Sequence, residues 1–412
     1  MSEIQAPGRE PRRWLQPFAE RDFRLLWLVG LVLFVIRWLE MLAMAVFAYQ
    51  RTGSPFIVAL LTMLRLLPMG VLGAFLGAWA DRLERRTSIV LVVLMQLVAS
   101  LALALLAYAD RLAVWHLAAA SVVNGIGWAT DNPVRRMMIG EVVGAERMGA
   151  AMAIDVGTNN ASRMAGPTLG GVLLAGFGIA WAFAFSAAFA CVALAGALAL
   201  RHRNSGGAPA PGTVFVQILN GLMFVKRDRR LCGTLVITAI FNLFGWPFTS
   251  MVPVIGHDSL HLGPEGVGLL TSMDGVGALA GAIAVGLYAR PAHYARLYVA
   301  GVVVYLTMLI VFALAPDPLL AGAALLLTGV GGAAFSILQA TLAYLAAPPE
   351  MRSRVLGVLS VIIGLGPIGF IHLGLLADVI GAPLATAAMG GEGLLVLLLT
   401  RRFWRVVVDR PP

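Results

Sequence analysis

Apolar runs of about 20 residues, the length needed to cross a bilayer core about 30 Å thick, follow one another along nearly the whole chain. They fall near 23–49, 56–80, 88–108, 112–134, 149–175 and 179–200. A second set falls near 231–255, 266–289, 296–315, 319–345, 355–378 and 383–403. Twelve such runs predict an all-α polytopic membrane protein. The composition agrees, since only 12% of the 412 residues are charged, against about 25% in an average soluble domain. An ordinary cytosolic enzyme and a disordered chain are thereby excluded. The two cysteines, Cys191 and Cys232, sit in apolar runs and behave there as small hydrophobes rather than a disulfide framework. The first run carries Arg37 and Glu40 and is too long for a cleavable signal peptide.

The net charge is +9. In a soluble protein that would suggest nucleic acid, but topology accounts for it here. With the spans alternating in direction, 25 of the 30 Lys and Arg residues fall on the side of the termini. Two, Arg51 and Arg111, fall on the other side, and Arg37, Arg65 and Arg163 lie inside spans. The positive-inside rule then predicts that both termini are cytoplasmic. No nucleic-acid partner is expected.

The longest hydrophilic stretch, 201–230, lies midway and contains Ser205, Gly206, Gly207, Pro209, Pro211 and Gly212, the composition of a flexible linker. The expected organisation is a segment 1–22, a six-helix half 23–200, the linker 201–230, a second half 231–403 and a tail 404–412. Gly166-Pro167 in the fifth span recurs as Gly366-Pro367 in the eleventh. Two parallel six-span halves around a midplane site form a transporter architecture.

Ionisable residues deep in a span are costly unless paired or hydrated, so they mark candidate sites. Counting about 1.5 Å per residue, Arg37, Glu40, Arg65, Arg163, Asp274 and His372 fall in one layer, from the midplane outward. One hydrated site holding an anionic ligand is one reading. The other is that the charges neutralise one another and only join helices. Arg37 and Glu40 are three apart and can pair locally, whereas Arg65 has no near sequence partner. Asp155 and Asn159 continue the Arg163 stripe and place a local partner for Arg163 on its own helix. Arg163 is followed at +3 and +7 by Gly166 and Gly170, and Asp274 by Gly277 and Gly281. Each set reads as a charge plus a small-residue face for close helix approach. Glu392 is also deep, and a packing or snorkelling role is expected for it.

Between the second and third spans the chain has Gly77, then Asp81-Arg82, then Arg85-Arg86. This resembles the signature loop of the major facilitator superfamily, with Trp79 and Glu84 departing from the usual Leu and Gly. The fifth span, with Asn160, Arg163, Gly166-Pro167 and Gly170-Gly171, resembles exporters related to the bacterial enterobactin exporter and the drug/proton antiporters. Asp131-Asn-Pro133-Val-Arg135-Arg136 and the stretch from Pro349 to Val355 fit the same group.

The resemblance implies a secondary transporter working by alternating access, with no enzymatic activity, cofactor or metal. It implies export of a siderophore, drug or similar amphipathic compound in exchange for protons, by a monomer in the bacterial cytoplasmic membrane. Spans 5 and 8 meet across the halves in the superfamily, so Arg163 and Asp274 are expected to pair in one conformation and part in another. A carboxylate that loses and regains an arginine changes its proton affinity, which makes Asp274 and Glu40 the expected proton carriers. Arg37, Arg65, Arg163 and His372 are expected to hold the substrate, beside Asn124, Asn242, Trp246 and Gln339 in cavity-lining spans. The expected gating residues are Asp81, Arg82, Arg85 and Arg86, with Asp131 and Arg135, and the Gly166-Pro167 bend as an outer seal. The second-half counterpart near Gly286 and Arg290 lacks an Asp, so such a latch is one-sided.

Three rivals stay open. An importer or lipid flippase shares the same charge layer. A membrane sensor or scaffold would close that layer with local pairs and no cavity. An intramembrane enzyme would need a nucleophile and base at one depth. His257 and His261, four apart, read as a solvated loop rather than a metal site, and no phosphate-binding glycine loop is present.

Overall fold

The computed structural model describes residues 13–71, 84–202 and 214–409, and every element in them is a helix. The first group comprises α1 (Arg21–Thr52), α2 (Pro55–Val71), α3 (Arg85–Tyr108), α4 (Val114–Val143), α5 (Ala145–Phe177) and α6 (Ile179–Leu198). Of the expected linker, residues 203–213 lie outside the described residues, and α7 (Val214–Arg227) follows. The second group comprises α8 (Arg229–Ile240), α9 (Val252–Asp258), α10 (Pro264–Tyr288), α11 (Tyr294–Ala313), α12 (Pro318–Ala346), α13 (Arg352–Ile363), α14 (Gly366–Ile380) and α15 (Ala382–Leu399). A short helix, α16 (Arg401–Asp409), packs on α8.

Among the described residues, nine helical stretches are long and apolar enough to cross a membrane, and the chain is a multi-pass membrane protein. The second, fourth and fifth expected spans are not among the nine. Only 17 residues of α2 are described. Helices α4 and α5 carry Asp131, Arg135, Asp155 and Arg163, and a hydropathy average counts a charge in full even when it is paired. The seventh expected span is not one helix. It passes from α8 through a π-helical turn at Phe241–Gly245 and a tighter turn at Trp246–Ser250 into α9. Pro247 and Pro253 lack the N–H that a continuous helix needs.

One face of the bundle, here called proximal, carries the start of α1 and the end of α15. The opposite, distal face carries the end of α1. The repeat seen in the sequence has a structural counterpart. A Cβ on Gly166 of α5 would sit 2.6 Å from Trp38 Cβ of α1, and Gly366 of α14 lies against the Trp246 ring at 3.5 Å. The turns after α5 and α14 both use a glycine with positive φ, Gly178 at 82° and Gly381 at 84°. Only glycine adopts that geometry without strain.

The predicted glycine faces are present, but they serve other neighbours. Gly166 and Gly170 let α5 approach α1, at Trp38 and Leu39. Gly277 and Gly281 let α10 approach α12, at Leu326 and Val330. The α5–α10 crossing uses Gly171, Gly268 and Gly275 instead. A Cβ on Gly268 would lie 2.5 Å from the Pro167 carbonyl oxygen, and one on Gly275 would lie 2.7 Å from the Met164 nitrogen.

The two groups are closed together at the distal face. Tyr49 donates to Asp258, Ser54 Oγ donates to Asp378 at 3.1 Å, and the Phe56 N–H donates to the same carboxylate at 3.1 Å. Toward the proximal face both α5 and α10 have glycines beside open space. A Cβ on Gly149 or Gly157 of α5, or on Gly286 of α10, would meet nothing within 4 Å.

Candidate functional site

Where the groups meet at mid-depth there is a narrow cavity of about 40 Å³. Its walls come from both groups. Arg37, Trp38 and Met41 come from α1, Thr62 and Arg65 from α2, Trp128 from α4 and Arg163 with Pro167 from α5. Trp246, Phe248 and Thr249 come from the broken seventh span, Thr271 and Asp274 from α10 and Phe370 from α14. An aromatic body with a few directed polar groups is the usual make-up of an organic-ligand site.

The polar groups are held from within the first group. Glu40 is fully buried, and it accepts from Ser100, from Gln96 at 3.1 Å and from Asn124 at 3.1 Å. Its ionic partner is Arg65 at 3.9 Å, not Arg37 on its own helix. Arg65 in turn donates to the Arg37 carbonyl at 3.1 Å, tying α2 to α1. Arg37 has Asp131 of α4 at 3.9 Å and lies over the Trp128 ring, 4.4 Å from its centroid. No hydrogen bond holds its guanidinium among the described residues.

Nearer the proximal face, fully buried Arg135 bridges Asp131, at 3.3 Å, and Asp155. Asp155 also accepts from Arg136 at 3.2 Å. The expected local partnership of Asp155 with Arg163 is therefore replaced by two arginines from α4. A second cavity, lined by Arg37, Arg65, Gln96, Asn124, Trp128 and Asp131, lies inside the first group. Asn124 Oδ1 and Asp131 Oδ2 have no hydrogen-bond partner, which is where buried water is expected.

Arg163 donates to Asp274 across the two groups. The second oxygen of Asp274 and the indole N–H of Trp38 are buried without a partner. Thus an acceptor and a donor remain open beside the cavity.

The structure separates several expected residues from this set. His372 does not join the layer. It shares a hydrogen bond of 3.0 Å with Glu392 of α15 on the outer surface, where the two side chains are 47% and 41% exposed. Its side of α14 faces away from the cavity. Asn242 is buried and donates to the Thr238 carbonyl at 2.8 Å, stabilising the π turn. Gln339 is half-buried and does not line the cavity. Of the expected gating residues, Asp81 and Arg82 lie outside the described residues. Arg85 pairs with Glu141, and Arg86 donates to the Leu198 carbonyl at 2.6 Å. Gly166 packs on α1, and Pro167 lines the cavity wall.

Trp38, Trp128, Phe248 and Phe370 were missed from the sequence, as were the distal pair Asp258 and Asp378. Trp128 had a signal. Asn124, Trp128, Asp131 and Arg135 recur at helical spacing and form one stripe of α4. Phe370 had none, being one apolar residue in an apolar span.

Comparison with known proteins agrees with the fold. Residues 13–409 match the family of transmembrane secretion effectors. An uncharacterised MFS-type transporter of Bacillus subtilis, YfiS, is 28% identical over 383 residues, 88% of each chain. Macrolide efflux protein A of Streptococcus pyogenes is 21% identical over 82% of this chain and 86% of its own. The enterobactin exporter EntS of Citrobacter koseri is 30% identical over 62% of this chain and 61% of its own. Among solved structures, a POT family transporter in complex with 5-aminolevulinic acid superposes with a TM-score of 0.75 at 13% identity, covering 94% of this chain and 96% of that one. A bacterial homologue of the lysosomal transporter Spinster gives 0.71 at 16% identity, covering 98% of each. The chain belongs to the transmembrane secretion effector family of major facilitator transporters.

Proposed function

We propose that this protein is a proton-coupled exporter of amphipathic organic compounds in a bacterial cytoplasmic membrane, with both termini inside. The observation that carries this reading is the Arg163–Asp274 pair. It is the ion pair in the cavity wall that joins the two groups. Rocking of the groups as two halves about the 201–230 linker would break it, whereas the pairs within the first group can persist. Asp274 then takes up a proton from outside when the distal face opens and loses it when Arg163 returns. Export of macrolides and enterobactin by relatives supports an outward direction.

The cavity also narrows the role of each arginine. Arg65 and Arg163 are held by Glu40 and Asp274, so neither is a free cation. Arg37 has a distant acid and no hydrogen bond, which leaves its donors for an acidic or carbonyl group of the substrate. Trp128, Trp246 and Phe370 would take the apolar body.

The test is uptake of dyes, a macrolide and catecholate siderophores into inside-out vesicles under an imposed pH gradient. Wild type is expected to accumulate at least one compound only with the gradient, and Asp274→Asn is expected to abolish that dependence. Gradient-driven uptake unchanged in the variant would move coupling away from Asp274. Accumulation of none of these compounds would reject the export reading.

A further inference from the structure

The proximal faces of the two groups differ in how their cations are held. In the first group Arg85 pairs with Glu141, Arg147 with Glu20 at 3.0 Å and Arg136 with Asp155, while Arg24 and Arg86 donate to backbone carbonyls. In the second group Lys226, Arg227, Arg229, Arg230, Arg401, Arg402 and Arg405 form no ion pair among the described residues. Asp228, the acid between them, accepts from the backbone N–H groups of Arg230 and Leu231 as the cap of α8. The helices that carry these cations adjoin, α7 packing on α8 and α8 on α16. Gly233 of α8 packs against Phe403 and Trp404 of α16, bringing the first turn of α8 beside that helix. The positive-inside rule explains why cations gather on this face, but not why these seven have no acidic partner.

The apolar neighbours indicate a ligand. Helix α16 is amphipathic, with Val407 buried and the Trp404 indole donating to the Leu397 carbonyl at 2.8 Å. Leu398 and Leu399, immediately before Arg401, are 59% and 69% exposed, and Leu222 and Met223 on α7 are about half exposed. Cations thus adjoin lipid-facing apolar side chains at the end of a span, the arrangement that meets a phosphate head group above its acyl chains.

We propose that α7, the first turn of α8 and α16 form a binding surface for anionic phospholipid head groups on the terminus-bearing leaflet. It is built on the second group alone and is separate from the transport cavity.

Binding of phosphatidylglycerol and phosphatidylcholine to the purified full chain in detergent, followed by native mass spectrometry, tests this. Each interfacial cation changes the affinity for an anionic lipid about fivefold. The triple variant Arg401→Gln/Arg402→Gln/Arg405→Gln is therefore expected to bind phosphatidylglycerol at least about tenfold more weakly, while phosphatidylcholine stays unchanged. A control, Arg21→Gln/Arg24→Gln in the first group, is expected to bind like wild type. If the triple variant does not elute as a folded protein, Lys226→Gln/Arg227→Gln on α7 replaces it, with the same direction of change. Equal binding of the two lipids by wild type would overturn the proposal. So would full retention in the α16 and α7 variants, or displacement by millimolar inorganic phosphate.

Discussion

The two helical groups share a fold and bury different things. In the second group a large apolar core runs from Ile237 and Phe241 through Tyr298, Tyr305 and Phe335 to Met389 and Val407, taking in Ala45, Val58 and Ala59 of the first group, with a smaller cluster around Leu231, Leu235 and Val355. In the first group the core is divided into smaller clusters. One cluster surrounds Phe23 to Ile36 near the proximal face, and another surrounds Met44, Phe47 and Leu61 near the distal face. Between them lies the layer of Arg37, Glu40, Arg65 and their partners. The comparison teaches where specificity is stored. Apolar packing tolerates small rotations, whereas a buried ionic network has one satisfied arrangement. The first group is thus a fixed frame for the cavity, and Asp274 is the second group's single charged contribution to its wall.

The largest effect expected from this difference is at Arg135. Its side chain is fully buried between Asp131 and Asp155. Arg135→Leu would leave both carboxylates without it, and removing one member of a buried pair costs about 3–5 kcal/mol. Thermal unfolding in detergent is expected to show a large loss of stability or no folded protein. A near-neutral variant would mean that the network does not hold the first group together.

A smaller effect is expected in the second group at Phe335, whose ring stacks on Phe241 at 3.6 Å between centroids and on Tyr298 at 5.6 Å. Phe335→Leu keeps much of the apolar volume and loses the ring contacts, for a cost of about 1–1.5 kcal/mol. The same unfolding measurement checks it. A loss as large as that of Arg135→Leu would erase the distinction between the groups.

The sequence made depth legible and left azimuth hidden. Counting residues from the span ends placed Arg37, Arg65, Arg163 and Asp274 in one layer, and they line one cavity. The same count placed His372 there, but its side chain points outward to Glu392. In a membrane protein the lipid-facing and core-facing sides are both apolar, so hydropathy does not tell them apart. The partner of Glu40 was hidden for the same reason. Spacing of three allowed Arg37, yet Glu40 turns toward α2, α3 and α4, where Arg65, Gln96, Ser100 and Asn124 converge on it. The contact of spans 5 and 8 was legible through the family resemblance, while the glycines that make it were not. Small residues mark close approach without naming the neighbour.

The smallest effect sharpens the comparison most, because it concerns a buried polar group in the second group. The Tyr298 hydroxyl lies 2.9 Å from Thr238 Oγ1 and donates to the Thr234 carbonyl at 3.0 Å. Both partners keep another hydrogen bond without it. Thr238 Oγ1 already donates to the same Thr234 carbonyl at 2.9 Å, so removing the hydroxyl leaves neither group unsatisfied. Tyr298→Phe is therefore expected to cost only about 0.6 kcal/mol, the average for an interhelical hydrogen bond in a membrane protein. A shift in unfolding temperature near the error of the measurement is the expected result. A loss of several degrees would show that the second group also depends on a polar centre, and that its large apolar core is not what holds it.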